Sequence, residues 1–399
     1  MEFIIDQNVL KEELGFVQGI VERKTTIPIL SNILIESLGE GEIRIVGTDM
    51  DVTIRCDAVA DIREPGSMCI PARKLFDLVR ALEPGDVHFK TDVGDWVKMS
   101  SGKANFRIAG VSREHFPEIP QFKSTPMTLP AEVFNRFIQN TSFAITSEQS
   151  RFTLSGAKFV VADGVAKMVT TDGHRLAYVE KAVDTDGTLD ILVPKKALLE
   201  LLKIARGDAE ISFGADQNHI YFEGEGRLLI TRKLSGNFPN YEMVMPKDND
   251  KAVTFDLDDM KRSVRRVSLM ADDRNRSIRL TIRSGEVELS AQSSEEGSGV
   301  EVVPADYNGE EVQLGFNWQY LLEFLNVAGS GDASASENAV DATSDEAVKE
   351  TDGNTVRVKE NKGPVRISFE FKDSNAQTQM RIAGDTTFDY KYIVMPLRI

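Results

Sequence analysis

The segment Thr170 to Ala177, Thr-Thr-Asp-Gly-His-Arg-Leu-Ala, concentrates side chains of the types that do chemistry. Asp172 and His174 have the makings of a general acid/base pair. Two positions apart on an extended strand, they would point to the same side. Gly173 between them leaves the backbone free to turn instead. Hydrolysis also needs a positioned nucleophile, donors for the developing negative charge, or a metal. The chain has no nucleophile motif, no phosphate-binding glycine-rich loop and no cluster of metal ligands to accompany this segment, so a hydrolase is the weakest of the readings open at this point.

The rest of the composition narrows the classes further. Cys56 and Cys69 are the only cysteines, and His88, His115, His174 and His219 stand far apart. That excludes a disulfide framework and leaves no set of about four close ligands for structural zinc. No metal and no cofactor is expected. With 399 residues, 41% hydrophobic and 28% charged, the chain has the profile of a globular protein of two to four domains. Its first sixteen residues turn charged after five, unlike a cleaved leader, and no apolar run reaches spanning length. The expectation is a cytoplasmic protein with no membrane partner. The formal charge of −16 argues against nucleic acid unless Lys and Arg gather on one surface.

The elements that must position these residues repeat along the chain. Ile-Pro-Ala-Arg-Lys-Leu-Phe-Asp-Leu-Val-Arg-Ala-Leu from Ile70, Val-Pro-Lys-Lys-Ala-Leu-Leu-Glu-Leu-Leu from Val193 and Phe-Asn-Trp-Gln-Tyr-Leu-Leu-Glu-Phe-Leu from Phe316 each predict an amphipathic helix behind a short strand. Pro71, Pro194 and Asn317 are spaced 123 residues apart. A second helix type precedes each, beginning near Asp6, Pro130 and Asp256, residues suited to a helix cap or first turn. Between the helices lie alternating and β-branched runs broken by Gly-Glu, Asp-Gly and Ser-Gly pairs, the pattern of antiparallel hairpins. The predicted fold is α+β, three tandem similar domains of two helices packed on antiparallel sheet, at residues 1–124, 125–247 and 248–399. Residues 329–363 carry eight acidic and four basic side chains and no aromatic. They predict an acidic low-complexity surface insertion in the third domain.

Basic residues recur on these helices. Arg73 and Arg80 lie two turns apart on one helix, and Lys196 and Lys203 occupy the equivalent positions 123 residues on. The third copy has neutral Gln319 and Asn326 there. In the helix after Asp256, Leu257, Met260, Val264 and Val267 form an apolar stripe that leaves Lys261, Arg262, Arg265 and Arg266 on the other side. A basic face on one helix is ordinary solvation. Its recurrence in an acidic chain predicts a common surface for phosphates, with Lys24, Arg73, Arg80, Lys196, Lys203, Arg262, Arg265 and Arg266 as the candidates facing DNA. No zinc finger, helix-turn-helix or RNP-type strand is present, so contact would be without sequence preference.

Six segments then resemble one family: Thr25 to Ser37, Gly47 to Ile54, Pro71 to Leu82, Thr170 to Ala177, Gly236 to Lys247 and Tyr392 to Ile399. The sequence resembles the β subunit of bacterial DNA polymerase III, the sliding clamps. The resemblance implies a DNA clamp fold, a head-to-tail homodimeric ring around double-stranded DNA, and no catalytic residues. It implies a processivity role, with the polymerase III alpha subunit, the clamp loader complex and other clamp-binding-motif proteins as partners. Their peptides would enter a groove whose matching residues are Leu154, Thr171, Gly173, His174, Arg175, Leu176, Pro239, Met243, Val244, Asn317, Tyr320, Ile393, Met395, Pro396, Leu397 and Arg398. Met243 stands where the family often has Arg, and Asn275 where it often has an aromatic. The dimer contact would set Phe106 and Ile108 against Leu269 and Met270. Within the opening segment, Thr171 and Asp172 recur at Thr48 and Asp49, which marks them as repeat scaffold. Gly173 to Leu176 have no such counterpart and belong to the groove.

Overall fold

The structure is a computed structural model that describes residues 1–21, 26–39, 41–121, 126–148, 150–185, 187–207, 209–293, 297–329 and 364–398. Lys24 and most of the expected acidic insertion, residues 330–363, lie outside the described residues. The chain divides into two compact units: Met1–Asp172 with Tyr178–Pro239, and Gly173–Ala177 with Asn240–Ile399.

Six α-helices are described: α1 (Gln7–Val17), α2 (Ala72–Ala81), α3 (Ala131–Thr141), α4 (Lys195–Ile204), α5 (Leu257–Ser268) and α6 (Trp318–Ala328). The expected caps are in place. The Asp6 carboxylate accepts from the backbone N–H of Asn8 and Val9, and Asp256 from that of Asp259. Pro130, Pro71 and Pro194 precede α3, α2 and α4 without a side-chain bond. Where the third copy has Asn317 instead of Pro, its side chain accepts from the backbone N–H of Gln319, restoring the capping bond that proline cannot make. Helix α5 combines Asp258 and Asp259 in its first turn with Arg265 and Arg266 in its last, matching charge to the helix dipole at both ends.

In the first unit every described strand pairing is antiparallel. One sheet runs Asp61–Glu64, Glu2–Asp6, Asp86–Thr91, Trp96–Ser101, Ala104–Ala109, the last strand forming its edge. A second has eight strands, in which Arg227–Arg232 lies beside Val52–Val59, with Leu229 opposite Ile54. That ladder joins strands of the first and second repeats, which is why two repeats make one unit. The joint has an ionic half as well. Arg227, largely buried, donates to Glu13 at 2.7 and 3.0 Å and to Glu12 at 2.9 Å, and its guanidinium lies 4.1 Å from the centroid of the Phe16 ring. A third ladder sets Gly156–Ala162 between Leu189–Pro194 and Val165–Thr171.

Alternation along the strands buries one face of each sheet against the helices. In the second repeat Phe134 of α3 meets Phe159, Phe213 and Phe222, with ring centroids 5.3–5.7 Å apart. Burial of that ring alone contributes enough that truncation to Ala would cost about 3–5 kcal/mol. In the first repeat α1 packs on the strand Glu42–Thr48 at Gly47, where an added Cβ would stand 2.5 Å from Val17 Cγ1.

The second unit is built around the strand order Asp389–Val394, Thr378–Ile382, Arg366–Phe371, Lys251–Asp256, Gly297–Asp306, Glu286–Ser293, Ser277–Arg283, Val312–Asn317. Helices α5 and α6 pack together, and the expected stripe of Leu257, Met260, Val264 and Val267 is buried.

Candidate functional site

Thr170 and Thr171 end the strand Val165–Thr171, and Arg175 opens the next. Gly173 between them has φ +91°, and Met50, its counterpart in the first repeat, has φ +80°. Both repeats therefore make a left-handed turn after a Thr-Asp pair. In the first, the Asp49 carboxylate accepts from the backbone N–H of Asp51 and Val52 at 2.9 and 2.7 Å, and Thr48 Oγ1 accepts from Met50 N–H at 3.1 Å. This is the side-chain-to-backbone bonding that holds an Asx turn. In the second, Arg151 Nη1 donates to the Asp172 carbonyl at 2.7 Å.

Beyond the turn the second repeat departs from the first. Arg175, 8% exposed, donates to the Glu323 carboxylate of α6 and to the Tyr392 hydroxyl at 3.4 Å, while its guanidinium stacks 4.4 Å from the Tyr320 ring centroid. Tyr392 in turn donates to the Tyr320 carbonyl at 3.0 Å and stacks on Phe324, with centroids 5.1 Å apart and planes 9° from parallel. Burial disfavours the charge on Arg175, but Tyr392 and Glu323 outweigh it and raise its pKa. Met395 N–H donates to the His174 carbonyl at 3.1 Å, and Leu397 N–H to Gly315 at 2.8 Å. Two backbone hydrogen bonds and one buried cation thus tie His174, Arg175, Tyr320, Gly315, Met395 and Leu397 into the second unit.

The other groove candidates are placed as follows. Leu176 and Ile393 are buried at 2% exposure each, Met243 is exposed at 80%, and Met395 at 39%. Met243 ends a short 3-10 turn whose Tyr241 carbonyl accepts from Val244 N–H at 3.1 Å. Asn317 is the α6 cap, and Pro396 and Arg398 flank Leu397 in the terminal segment. Leu154, Thr171 and Pro239 belong to the first unit. Sequence reasoning missed Glu323 and Tyr392, which lie 148 and 217 residues from Arg175, and no local pattern links positions so distant.

Of the basic candidates, Arg73 and Lys196 line one cleft of about 730 Å³ in the first unit, together with Lys74 and Ser31. Lys196 is also bonded to the buried Asp49 carboxylate, so the Thr-Asp turn anchors a helix cation. Lys203 holds Glu200 at 2.6 and 2.8 Å, and Arg80 lies 3.8 Å from Asp77. In the second unit Arg262 pairs with Asp259, Arg265 donates to Asn326 at 3.4 Å, and Arg266 holds Glu301 through both nitrogens, Nη2 at 2.7 Å. That bond keeps the Glu301 carboxyl below the usual carboxylate range. Arg266 is therefore directed to the strand Gly297–Asp306.

Two interface candidates, Phe106 and Ile108, sit on an edge strand, and the other two, Leu269 and Met270, directly follow α5. Among the described residues Ala104–Ala109 pairs only with Trp96–Ser101; Phe106 on it is half-buried and Ile108 already buried. Leu269 is 72% exposed, and Met270 packs over Gly299, where an added Cβ would meet its Cγ at 3.1 Å. On the strand under Met270, residues 297–304 pair with Glu286–Ser293 on one side, and among the described residues the opposite side pairs only at Ala305 and Asp306. Val300 and Val302 on that edge are 61% and 51% exposed. Sequence reasoning missed both, although two valines flanking one charged residue after Gly297 and Gly299 are a strand signal.

Residues 1–120, 128–240 and 242–341 match, in order, the N-terminal, central and C-terminal domains of the DNA polymerase III beta subunit. The chain belongs to that family. The beta sliding clamp of Pseudomonas aeruginosa is 31% identical over 406 residues, covering 100% of both chains. That of Chlamydia pneumoniae is 30% identical over 328 residues, 82% of this chain and 89% of its own. Among solved structures, a Pseudomonas aeruginosa DnaN sliding clamp bound to griselimycin matches with a TM-score of 0.87 at 27% identity, and a Caulobacter crescentus beta sliding clamp with 0.85 at 29%, each over 100% of both chains. This member of the beta-subunit family is a DNA sliding clamp, and the family is one of non-catalytic processivity factors. The Asp172–His174 pair is accordingly no hydrolase site. Among the described residues no group of three His, Cys, Asp or Glu could hold a metal ion, and no helix is long and apolar enough to cross a membrane.

Proposed function

We propose that two copies of this chain close head to tail into a ring around double-stranded DNA in the cytoplasm. Each contributes three domains at about residues 1–124, 125–247 and 248–399. The observation that carries this is the pair of incompletely paired sheet edges, Ala104–Ala109 in one unit and residues 297–304 in the other. An open edge is a template for another strand, and a long exposed one invites aggregation unless it has a partner. Two different edges on one chain satisfy each other in a heterologous contact, and a closed dimer leaves neither free. Phe106 and Ile108 then meet Leu269 and Met270, with Val300 and Val302 added to the contact.

The basic helix residues, Arg73, Arg80, Lys196, Lys203, Arg262 and Arg265 with Lys24, meet phosphates in the hole without reading sequence. Arg266, tied to Glu301, serves the edge more than the hole. Residues Gly173–Leu176 with Val244, Tyr320 and the terminal segment Ile393–Arg398, and Leu154, Thr171, Pro239, Met243 and Asn317, form the groove. It accepts apolar anchors of peptides from the polymerase III alpha subunit, the clamp loader and other clamp-binding-motif proteins. Met243 and Met395 provide adaptable thioethers for differing clients. Tethering raises the local concentration of polymerase at its primer end. Deleting the last five residues should abolish stimulation of the polymerase while the dimer, read by sedimentation, persists. Stimulation that survives the deletion would remove the groove assignment.

A further inference from the structure

On the helical side of the first unit, α1, α2 and α4 enclose a second cleft of about 400 Å³ whose walls include the Phe76 ring, Gly15, Lys11 and Arg206. Its size lies at the low end of small-molecule clefts, roughly 300–1,000 Å³. Phe76 is half-buried and Lys11 exposed. Arg206 lies over the Phe16 ring at 5.3 Å. Glu12, the acidic residue of the lining, is bound to Arg227 at 2.9 Å, so its charge is largely matched. The floor is open because α1 carries glycine at position 15. An added Cβ there would meet nothing nearer than Phe76 Cε2 at 3.9 Å. Packing therefore does not demand this glycine, although in a helix interior it is among the least favourable residues. The arrangement is particular to the first repeat. The helical positions equivalent to Gly15 hold Gln139 and Arg265, and those equivalent to Phe76 hold Leu199 and Leu322.

A flat aromatic wall beside cations is the combination with which proteins hold unpaired nucleic acid: the ring stacks on a base of any identity and the cations take the flanking phosphates. Paired bases, already stacked in a duplex, cannot enter so small a cleft. We propose that this cleft takes one unpaired nucleobase of the encircled DNA, stacked on Phe76, with the adjoining phosphates on Lys11 and Arg206. The proposal rests on the reading that these helices face DNA, and deepens it: the same surface that slides on duplex would register where duplex gives way to single strand.

The test uses the full chain and two hairpin DNAs of equal length and charge, one with a single-stranded deoxyadenosine tail and one whose tail is abasic, followed by fluorescence anisotropy at low salt. The wild-type protein should bind the base-bearing tail about tenfold more tightly, the scale of one base–aromatic stack. Gly15→Met fills the cleft, leaves every cation in place and favours the helix, and should erase that preference while leaving affinity for the abasic tail unchanged. Phe76→Ala should do the same. Equal affinity of the wild-type protein for the two tails, or a preference that survives Gly15→Met, would overturn the proposal. Retention of the protein on circular DNA is the separate readout for the ring: with retention intact, equal affinity overturns the cleft alone, whereas absent retention overturns the ring reading on which it rests.

Discussion

Arg175 is a charge held in the interior by specific partners. A cation with 8% exposure is tolerated because the Glu323 carboxylate, the Tyr392 hydroxyl and the Tyr320 face replace the water it loses. Glu323 keeps 41% of its side-chain surface exposed, which discounts the pair relative to a fully buried one. Arg175→Ala should therefore lower unfolding stability by about 2 kcal/mol, measured by denaturant titration. Arg175→Lys should recover only part of it, because an ammonium cannot stack flat on Tyr320 while bonding two partners. The Arg266–Glu301 pair has a pH signature. A carboxyl whose folded pKa is depressed contributes stability that is fully present above its unfolded value and is lost as pH falls through the folded one. Carboxyl NMR titration should place Glu301 below the ordinary glutamate range, and Arg266→Gln should return it upward; an unchanged Glu301 would remove Arg266 as the cause.

Two helix–sheet contacts in the first repeat show opposite demands on glycine. At Gly47 a Cβ would stand 2.5 Å from Val17 Cγ1 and 3.0 Å from the Val17 carbonyl oxygen. Gly47→Ala should push α1 off its sheet and cost about 1–3 kcal/mol. Gly15 has room, so Gly15→Ala should stabilise the same helix by up to ~1 kcal/mol. Thermal unfolding of the pair would show shifts of opposite sign. This is also the scale at which the sequence was most informative. All six helices, their caps at Asp6, Pro130 and Asp256 and the 123-residue spacing were legible, because capping chemistry and apolar periodicity are local. The partners of Arg175, the cross-repeat ladder at Leu229 and Ile54, and the open edge at Val300 and Val302 were not, since each depends on strands brought together from distant parts of the chain.

At the scale of the whole molecule, an acidic chain of formal charge −16 avoids holding DNA tightly by charge alone while presenting cations locally. Arg73→Gln should weaken binding to all duplex sequences alike and reduce the salt slope of affinity by about 1. Leu269→Asp together with Val302→Asp should leave each chain folded, since both side chains are more than half exposed, yet shift the protein from dimer to monomer in sedimentation, because burying unpaired carboxylates in an apolar contact is costly. A dimer that tolerates both changes would place its interface elsewhere. The central claim, that the protein holds DNA by encircling it, is tested most directly by loading it on nicked circular DNA with a clamp loader and ATP and then cutting the circle. A ring stays on the circle through gel filtration and slides off once the DNA is linear. Protein that remains bound to the linear DNA after cutting would contradict encirclement.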